Sequence, residues 1–347
     1  KTISSIFMNV EYQDKIDDNY DNLVKKTKKT TFFQSLKHIR FLEDTLQLNA
    51  KCIVATEKNE VIGTLPFFSK KTDYGNVFNS LPFFGSYGGI ITTNDETYKK
   101  ILEKFNNHID ESDVLSSTII TNPFTSSEVY GNFYNHNHIE QRLIQCTTLN
   151  QDKNQMWKSL EKRVRWSINK SKNNDISVSI INSDQKLIDH FYQLHKNSMD
   201  AKKGKPKPKS LFSSIQKCFE QNLDYDIFVA KKDDNPIGYV LVFYFNQFTE
   251  YYMPAYDPEF RNLQSTSHLI WESMLKSIDL NKKYFNFGGT WPNQENLFRF
   301  KRGWNADNFY YNYFIKCDIE RLKNIKIEDF PKIFQDFYVC PYNLLKK

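Results

Sequence analysis

Residues 227–304 read IFVAKKDDNPIGYVLVFYFNQFTEYYMPAYDPEFRNLQSTSHLIWESMLKSIDLNKKYFNFGGTWPNQENLFRFKRGW. Three β-rich runs come first, at 227–230, 237–245 and 250–255, separated by Asp, Asn and Pro. Tyr256-Asp257-Pro258 reads as a turn. A helical run follows at 265–280, and an apolar strand at 284–287 ends in Gly288-Gly289. The stretch closes on Phe300-Lys301-Arg302-Gly303-Trp304, both basic and aromatic. Strands, then a helix, then a strand predict an α/β unit.

Outward from this stretch, the same local pattern appears a second time. Phe228-Val229-Ala230 is followed by Ile237-Gly238, and Ile53-Val54-Ala55 by Ile62-Gly63 at the same spacing. A helical segment precedes each pair, at 32–48 and at 186–222. The recurrence predicts two copies of one domain, 1–150 and 151–347. The first copy continues through 64–69, a turn-rich loop NSLPFFGSYGGI at 79–90, a helix at 96–109 and strands at 116–121 and 143–149. Trp157, Leu160, Val164 and Ile168 lie on one helical face, which predicts a connecting helix over 157–172. Beyond it come a strand at 176–181 and a helix at 185–200. The run AKKGKPKPKS at 201–210 has alternating prolines, which forbid helix and predict an extended, mobile loop. A helix at 211–221, a strand at 309–316 and a mostly helical tail at 319–338, broken near Pro331, complete the reading.

Length and composition bound the function. At 347 residues the length prior is about two domains. A hydrophobic fraction of 39%, with 29 Phe and 20 Tyr, suffices for two cores. No apolar run reaches the length of a transmembrane helix. The row begins at Lys1 without Met, so a processed start stays open. Five scattered Cys with no C-x-x-C pair point to reduced thiols in a cytoplasmic protein. His136 and His138 lack partners at ligand spacing, so no metal site is expected. Net charge is +6, and its distribution is uneven. Lys158, Lys162, Arg163, Arg165, Lys170 and Lys172 crowd one helix; Lys202, Lys203, Lys205, Lys207 and Lys209 crowd the proline loop. Both runs suit an anionic partner such as phosphate, nucleotide or RNA, or else a solvated face and a flexible loop.

Four motifs together resemble the Fem family of aminoacyltransferases, which build peptidoglycan cross-bridges, and their FemAB-like relatives. Arg163 to Lys170 is similar to the family's basic R-x-x-I-x-K helix. Glu250-Tyr251-Tyr252 through Asp257-Pro258 resembles its strand and turn. Phe287-Gly288-Gly289 resembles its DFGG, with Asn286 where Asp is usual. Phe300 to Trp304 resembles its FKxGF. The resemblance implies an α/β (α+β) protein of two tandem GNAT-like acyltransferase domains, each a mixed sheet flanked by helices. It implies transfer of an aminoacyl or acyl group to an amine of a cell-envelope precursor, peptidoglycan or glycan. No tightly bound cofactor is implied; the donor would be aminoacyl-tRNA or acyl-CoA as co-substrate. A cytoplasmic location follows, with peripheral contact at the inner membrane surface as an option.

In GNAT-like folds the central parallel strands splay apart, and backbone amides of the strand before the turn face the acyl carbonyl. Here that strand is 250–255. Candidates for proton handling are Glu250, Tyr251, Tyr252, Tyr256 and Asp257, and Lys301 is a candidate for neutralising a phosphate or the oxyanion. Lys301 is alternatively a strand-edge lysine on the surface. Donor binding would fall to Arg261, Phe300, Lys301, Arg302, Arg163 and Arg165. Acceptor binding would fall to Phe83, Phe84, Tyr87 and Gly88 of the first domain with Tyr251, Tyr256, Gly288 and Gly289 of the second. An acyl-CoA enzyme normally has R/Q-x-x-G-x-G/A before its helix; here Arg261 is followed by Gln264 and Thr266 in place of small residues. The alternatives are an acyl-CoA-dependent sugar-amine N-acyltransferase and a non-catalytic module that binds RNA or anionic lipid.

Overall fold

The structure, a computed structural model, describes residues 8–83, 86–182, 184–202 and 204–345. The chain divides into two compact units, one of residues 1–142 with 310–347 and one of residues 143–309. The expected boundary at 150 therefore moves, and the last 38 residues (310–347) belong with the first unit instead of the second. Strand pairing explains the shift, because each sheet is completed by a strand from the far half of the sequence.

In the first unit the elements are β1 (Asn9–Gln13), α1 (Asp18–Lys26), α2 (Leu36–Leu46), β2 (Lys51–Glu57), β3 (Glu60–Thr72), β4 (Gly75–Asn79), β5 (Ile91–Thr92), α3 (Asp95–Asp110), β6 (Val114–Ile120) and α4 (Glu128–Phe133). The sheet runs β1-β2-β3-β4-β6, antiparallel except for the parallel β4–β6 pair. Residues 313–317 then pair antiparallel with β6. Ser35 divides the expected 32–48 helix: its hydroxyl accepts from the His38 amide and caps α2, leaving Phe32–Gln34 as a 3-10 turn. The core gathers Ile53, Leu65, Phe67, Phe78, Ile101, Phe105 and Phe314 between sheet and helices.

The second unit repeats the plan. Its elements are β7 (His138–Thr148, entering the unit at Leu143), α5 (Lys153–Ser159), α6 (Lys162–Asn173), β8 (Ser177–Ile180), α7 (Gln185–Ala201), α8 (Ser210–Cys218), β9 (Tyr225–Lys232), β10 (Asn235–Phe245), β11 (Phe248–Tyr256), α9 (Ser265–Asp279), β12 (Tyr284–Gly289), α10 (Glu295–Arg302) and the start of β13 (Ala306–Cys317). The order β8-β9-β10-β11-β12 matches β1-β2-β3-β4-β6, and residues 144–148 of β7 pair antiparallel with β12.

The sequence repeat now has a physical cause. Lys58-Asn59 and Asp233-Asp234 both take left-handed backbone at the β2–β3 and β9–β10 hairpins, the conformation such two-residue turns require. Gly63 and Gly238 sit under the starts of α3 and α9. A Cβ on Gly63 would lie 2.5 Å from Thr97 Cγ2, and one on Gly238 would lie 3.2 Å from Ser265 Oγ. Each glycine lets the crossover helix settle close on the sheet.

The connecting helix expected over 157–172 is two helices. Leu160 and Glu161 are extended, and the Glu161 amide donates to the Gly303 carbonyl. The apolar face is nonetheless correct: Val164 and Ile168 are buried and Trp157 meets Trp271 edge-on at 5.0 Å. The tail holds only short helices, α11 (Ile319–Lys323) and α12 (Phe330–Ile333). Pro331 opens α12 rather than breaking a helix. Among the described residues no helix is long and apolar enough to cross a membrane.

Candidate active site

Strand β11 is parallel to β12 at only three positions, Phe248–Tyr284, Thr249–Phe285 and Glu250–Asn286. β11 then runs on to Tyr256 while β12 bends away to Gly289. The two strands form a fork, their pairing ending at Glu250–Asn286. A bulge sharpens the divergence. Leu241 faces Met253 and Val242 faces Tyr251, so Tyr252 is the extra residue. Tyr251 and Tyr252, adjacent in the strand, lie on opposite faces. Tyr251 packs on Phe287 at 5.6 Å, and Tyr252 meets Phe243 edge-on at 5.0 Å.

At the base of the fork lies a buried polar pair. Asn286 Nδ2 donates to Glu250 Oε2 at 2.8 Å, and Asn286 Oδ1 accepts from the Gly288 amide at 2.9 Å. Asn286 is the residue that replaces the usual Asp. An amide can donate to Glu250 where a second carboxylate would repel it. Gly288 has φ +71°, a region that suits glycine, and a Cβ there would meet open space.

Lys301 lies on α10 with 3% of its surface exposed. Its Nζ donates to Gly288 O at 2.9 Å, Gly289 O at 2.6 Å and Thr290 Oγ1 at 2.9 Å. These three bonds use the full donor capacity of an ammonium. Burial lowers its pKa from 10.5 to about 7. Lys301 is therefore not a surface lysine at a strand edge; it clamps the turn at the fork's mouth. Phe300 is half-buried against Trp304.

On the far side of β11, a lysine of the proline loop reaches the bulge. Lys207 Nζ sits 4.7 Å over the Tyr252 ring. The Lys207 amide donates to His195 Nε2 at 3.2 Å, and Lys209 Nζ is 3.0 Å from Asp189 Oδ1. Burial, together with Lys207 and Lys202, lowers the His195 pKa to about 4, so the ring is a neutral acceptor at pH 7. The loop expected to be mobile is pinned to α7 and β11. Lys203 lies outside the described residues.

Beyond β11, Asp257 Oδ1 accepts from the Glu259 amide at 3.0 Å and caps a 3-10 turn over Pro258–Leu263. Gln264, left-handed at φ +60°, leads into α9, whose N-terminus has no side-chain cap. Arg261 is exposed beside it. The start of this 15-residue helix, without a side-chain cap, suits an anion.

Residues 158–302 match the family profile described as an acetyltransferase (GNAT) domain. That segment carries a GNAT-type acetyltransferase domain. The chain's tandem fold is similar to solved structures along nearly the whole length. The crystal structure of FemX aligns with a TM-score of 0.71 at 14% identity, covering 88% of this chain and 97% of that one. L-PGS from Bacillus licheniformis aligns at 0.57 and 10% identity, covering 87% and 92%. A tandem GNAT protein from the clavulanic acid biosynthesis pathway aligns at 0.53 and 9%, covering 89% and 97%. At such identities the likeness shows a Fem-like tandem GNAT fold. No curated protein sequence matches.

Several expected site residues have structural duties. Arg163 donates from Nη2 to the Arg299 carbonyl and from Nε to Glu161 at 2.6 Å. Arg165 donates to the carbonyls of Lys158 and Leu160, capping α5. Arg302 is exposed on the last turn of α10. Burial pushes the phenols of Tyr251 and Tyr252 well above their usual pKa, which keeps both protonated at neutral pH. Tyr256 is half-exposed at the open end of β11.

The described members of the first domain's acceptor set are packed in its interior. Tyr87 is 1% exposed, with its ring against Phe33 and Tyr311. Gly88 bridges to Thr121, and its carbonyl accepts from Gln34. Phe83 is buried with them, and Phe84 lies outside the described residues. The Ser80 amide donates to Thr118 O and the Gly88 amide to Ile120 O, so the first copy's own loop fills the gap beside β6. Lys207 and the α9 N-terminus escaped the candidate set. Lys207 was one of five lysines in a run, and an uncapped helix start leaves no side-chain signature.

Proposed function

We propose that this enzyme moves an aminoacyl group from aminoacyl-tRNA to an amine of a cell-envelope precursor. The observation that carries the reading is the β11–β12 fork. Its β11 edge, past the end of the pairing with β12, offers backbone oxyanion donors, and cations and a helix N-terminus flank it for phosphates. The amine nitrogen attacks the ester carbonyl, the C–O bond to the ribose oxygen breaks, and the amine's proton passes to that oxygen. Those backbone N–H groups of 251–256 that face the fork, Pro254 having none, stabilise the oxyanion without reorganising. The buried Tyr252 phenol, held in its protonated form, can donate to substrate but not accept its proton. Lys207 and Arg261 offer charges to substrate phosphates on the two sides of β11. The Fem-like fold and the chain's lack of the small-residue pattern at Gln264 and Thr266 support an RNA-borne donor.

The uncapped start of α9 favours a second reading, acyl-CoA, whose pyrophosphate would sit on those amides. One assay separates the two. Labelled aminoacyl-tRNA and labelled acetyl-CoA are each incubated with enzyme and a panel of amine acceptors that includes nucleotide- and lipid-linked amino sugars and peptides. Transfer from tRNA alone supports the first reading. Transfer from the thioester alone replaces it with the second.

A further inference from the structure

Helix α6 has an outward face that acyl transfer does not use. Val164, Ile168 and Ser171 point inward, with Ser171 Oγ 3.4 Å from His268 Nδ1 of α9. Lys162, Trp166 and Lys170 follow at i, i+4 and i+8 on the outer side. Trp166 is 58% exposed, unusual for so large an apolar ring. α6 itself contains no acid. Acids that flank it are engaged: Glu161 is 2.6 Å from Arg163, Asp175 is 3.9 Å from Lys232, and Glu272 is 3.4 Å from both Lys172 and His268. Arg163 bonds the Arg299 carbonyl and so ties this face to α10. There Trp291 is 54% and Leu297 37% exposed, with Arg299 and Arg302 also at the surface.

We propose that this face docks on an anionic lipid bilayer. Trp166 would sit at headgroup depth, where indole rings are favoured. Lys162 and Lys170 would extend their stems along the apolar boundary and place their ammonium groups on lipid phosphates. A nucleic acid is the competing anionic partner. It fits less well because Lys170 Nζ lies 5.0 Å over the Trp166 ring, covering the face on which a base would stack. The inference extends the acyl-transfer reading in one respect: Trp291 is two residues beyond Gly289, so the fork's mouth would open close to the bilayer and to an acceptor carried by it.

The test needs no acyl transfer, so its failure is separate from failure of the proposed reaction. Full-length protein is sedimented with phosphatidylcholine vesicles and with vesicles containing phosphatidylglycerol, at low and high salt. Binding is expected only to the anionic vesicles and falls as salt rises. Trp166→Ala and the double variant Lys162→Glu/Lys170→Glu should each weaken it about tenfold or more. Circular dichroism and melting should be unchanged, since these side chains are outside the core. Trp166→Lys, which raises the charge while removing the indole, should also weaken binding. Absence of wild-type binding overturns the proposal, as does binding that survives all three variants. Loss of tRNA binding in the same variants, without any vesicle binding, would assign the face to RNA.

Discussion

Lys301 and Lys207 show how two lysines of one chain take different duties. Lys301 gives all three N–H bonds to its own turn, so replacing it by Met should cost about 1–3 kcal/mol, the range for lost buried bonds to a charged donor. The pH dependence has a definite sign. Burial places the folded pKa near 7 against 10.5 in the unfolded chain. Between those values the unfolded state binds more protons, so wild-type stability rises with pH. Relative to Lys301→Met, the wild type should gain between pH 7 and 10, with a slope approaching about 1.4 kcal/mol per pH unit. Urea unfolding at several pH values measures it; a flat difference would mean that the three oxygens keep the ammonium charged throughout. Lys207 is half-exposed, and its contact with Tyr252 contributes about 0.5–1 kcal/mol. Lys207→Met should leave the melting temperature nearly unchanged and raise KM for the phosphate-bearing substrate about tenfold. An unaltered KM would remove Lys207 from the site.

Helices, strands and turns were far more legible than side-chain duties. The hairpins, the crossover helix α9 and the fork strands follow from alternation and turn residues that act within a few positions. The break at Leu160-Glu161 does not, because it depends on the Gly303 carbonyl, distant in sequence. The apolar stripe from Trp157 to Ile168 is continuous in the sequence and runs through the break. Gly303 itself permits the approach: a Cβ there would lie 2.9 Å from both Arg163 Nη2 and Val164 Cγ2. Gly303→Val should therefore lower stability by about 1–3 kcal/mol, read from denaturant midpoints. Asp257 allows a sharper separation of duties. Asn can cap the turn as Asp does, whereas Ala cannot. If capping is its whole role, Asp257→Asn should keep turnover and stability while Asp257→Ala loses about 1 kcal/mol. A collapse of turnover in the Asn variant would return the carboxylate to the chemistry.

At the scale of the whole molecule, the tandem repeat was visible in the sequence but the division between units was not. Hydrophobic pattern marks 143–149 and 309–316 as strands without saying which sheet each joins; that depends on long-range pairing. A fragment of residues 151–347 lacks the 144–148 partner of β12, and a fragment of residues 1–150 lacks the 313–317 partner of β6. Both should be insoluble or molten when expressed alone, whereas residues 143–309 hold a complete sheet and should be the most protected fragment in limited proteolysis. The same pairing bears on synthesis. The second unit is continuous in the chain, so it can close as soon as residue 309 leaves the ribosome. The first unit cannot finish until residues 310–317 follow. At a translation rate of about 5–20 residues per second, β6 waits on the order of ten to forty seconds with one edge open. An unpaired strand edge is a template for aggregation, so the half of the protein made first is the half that must be sheltered longest.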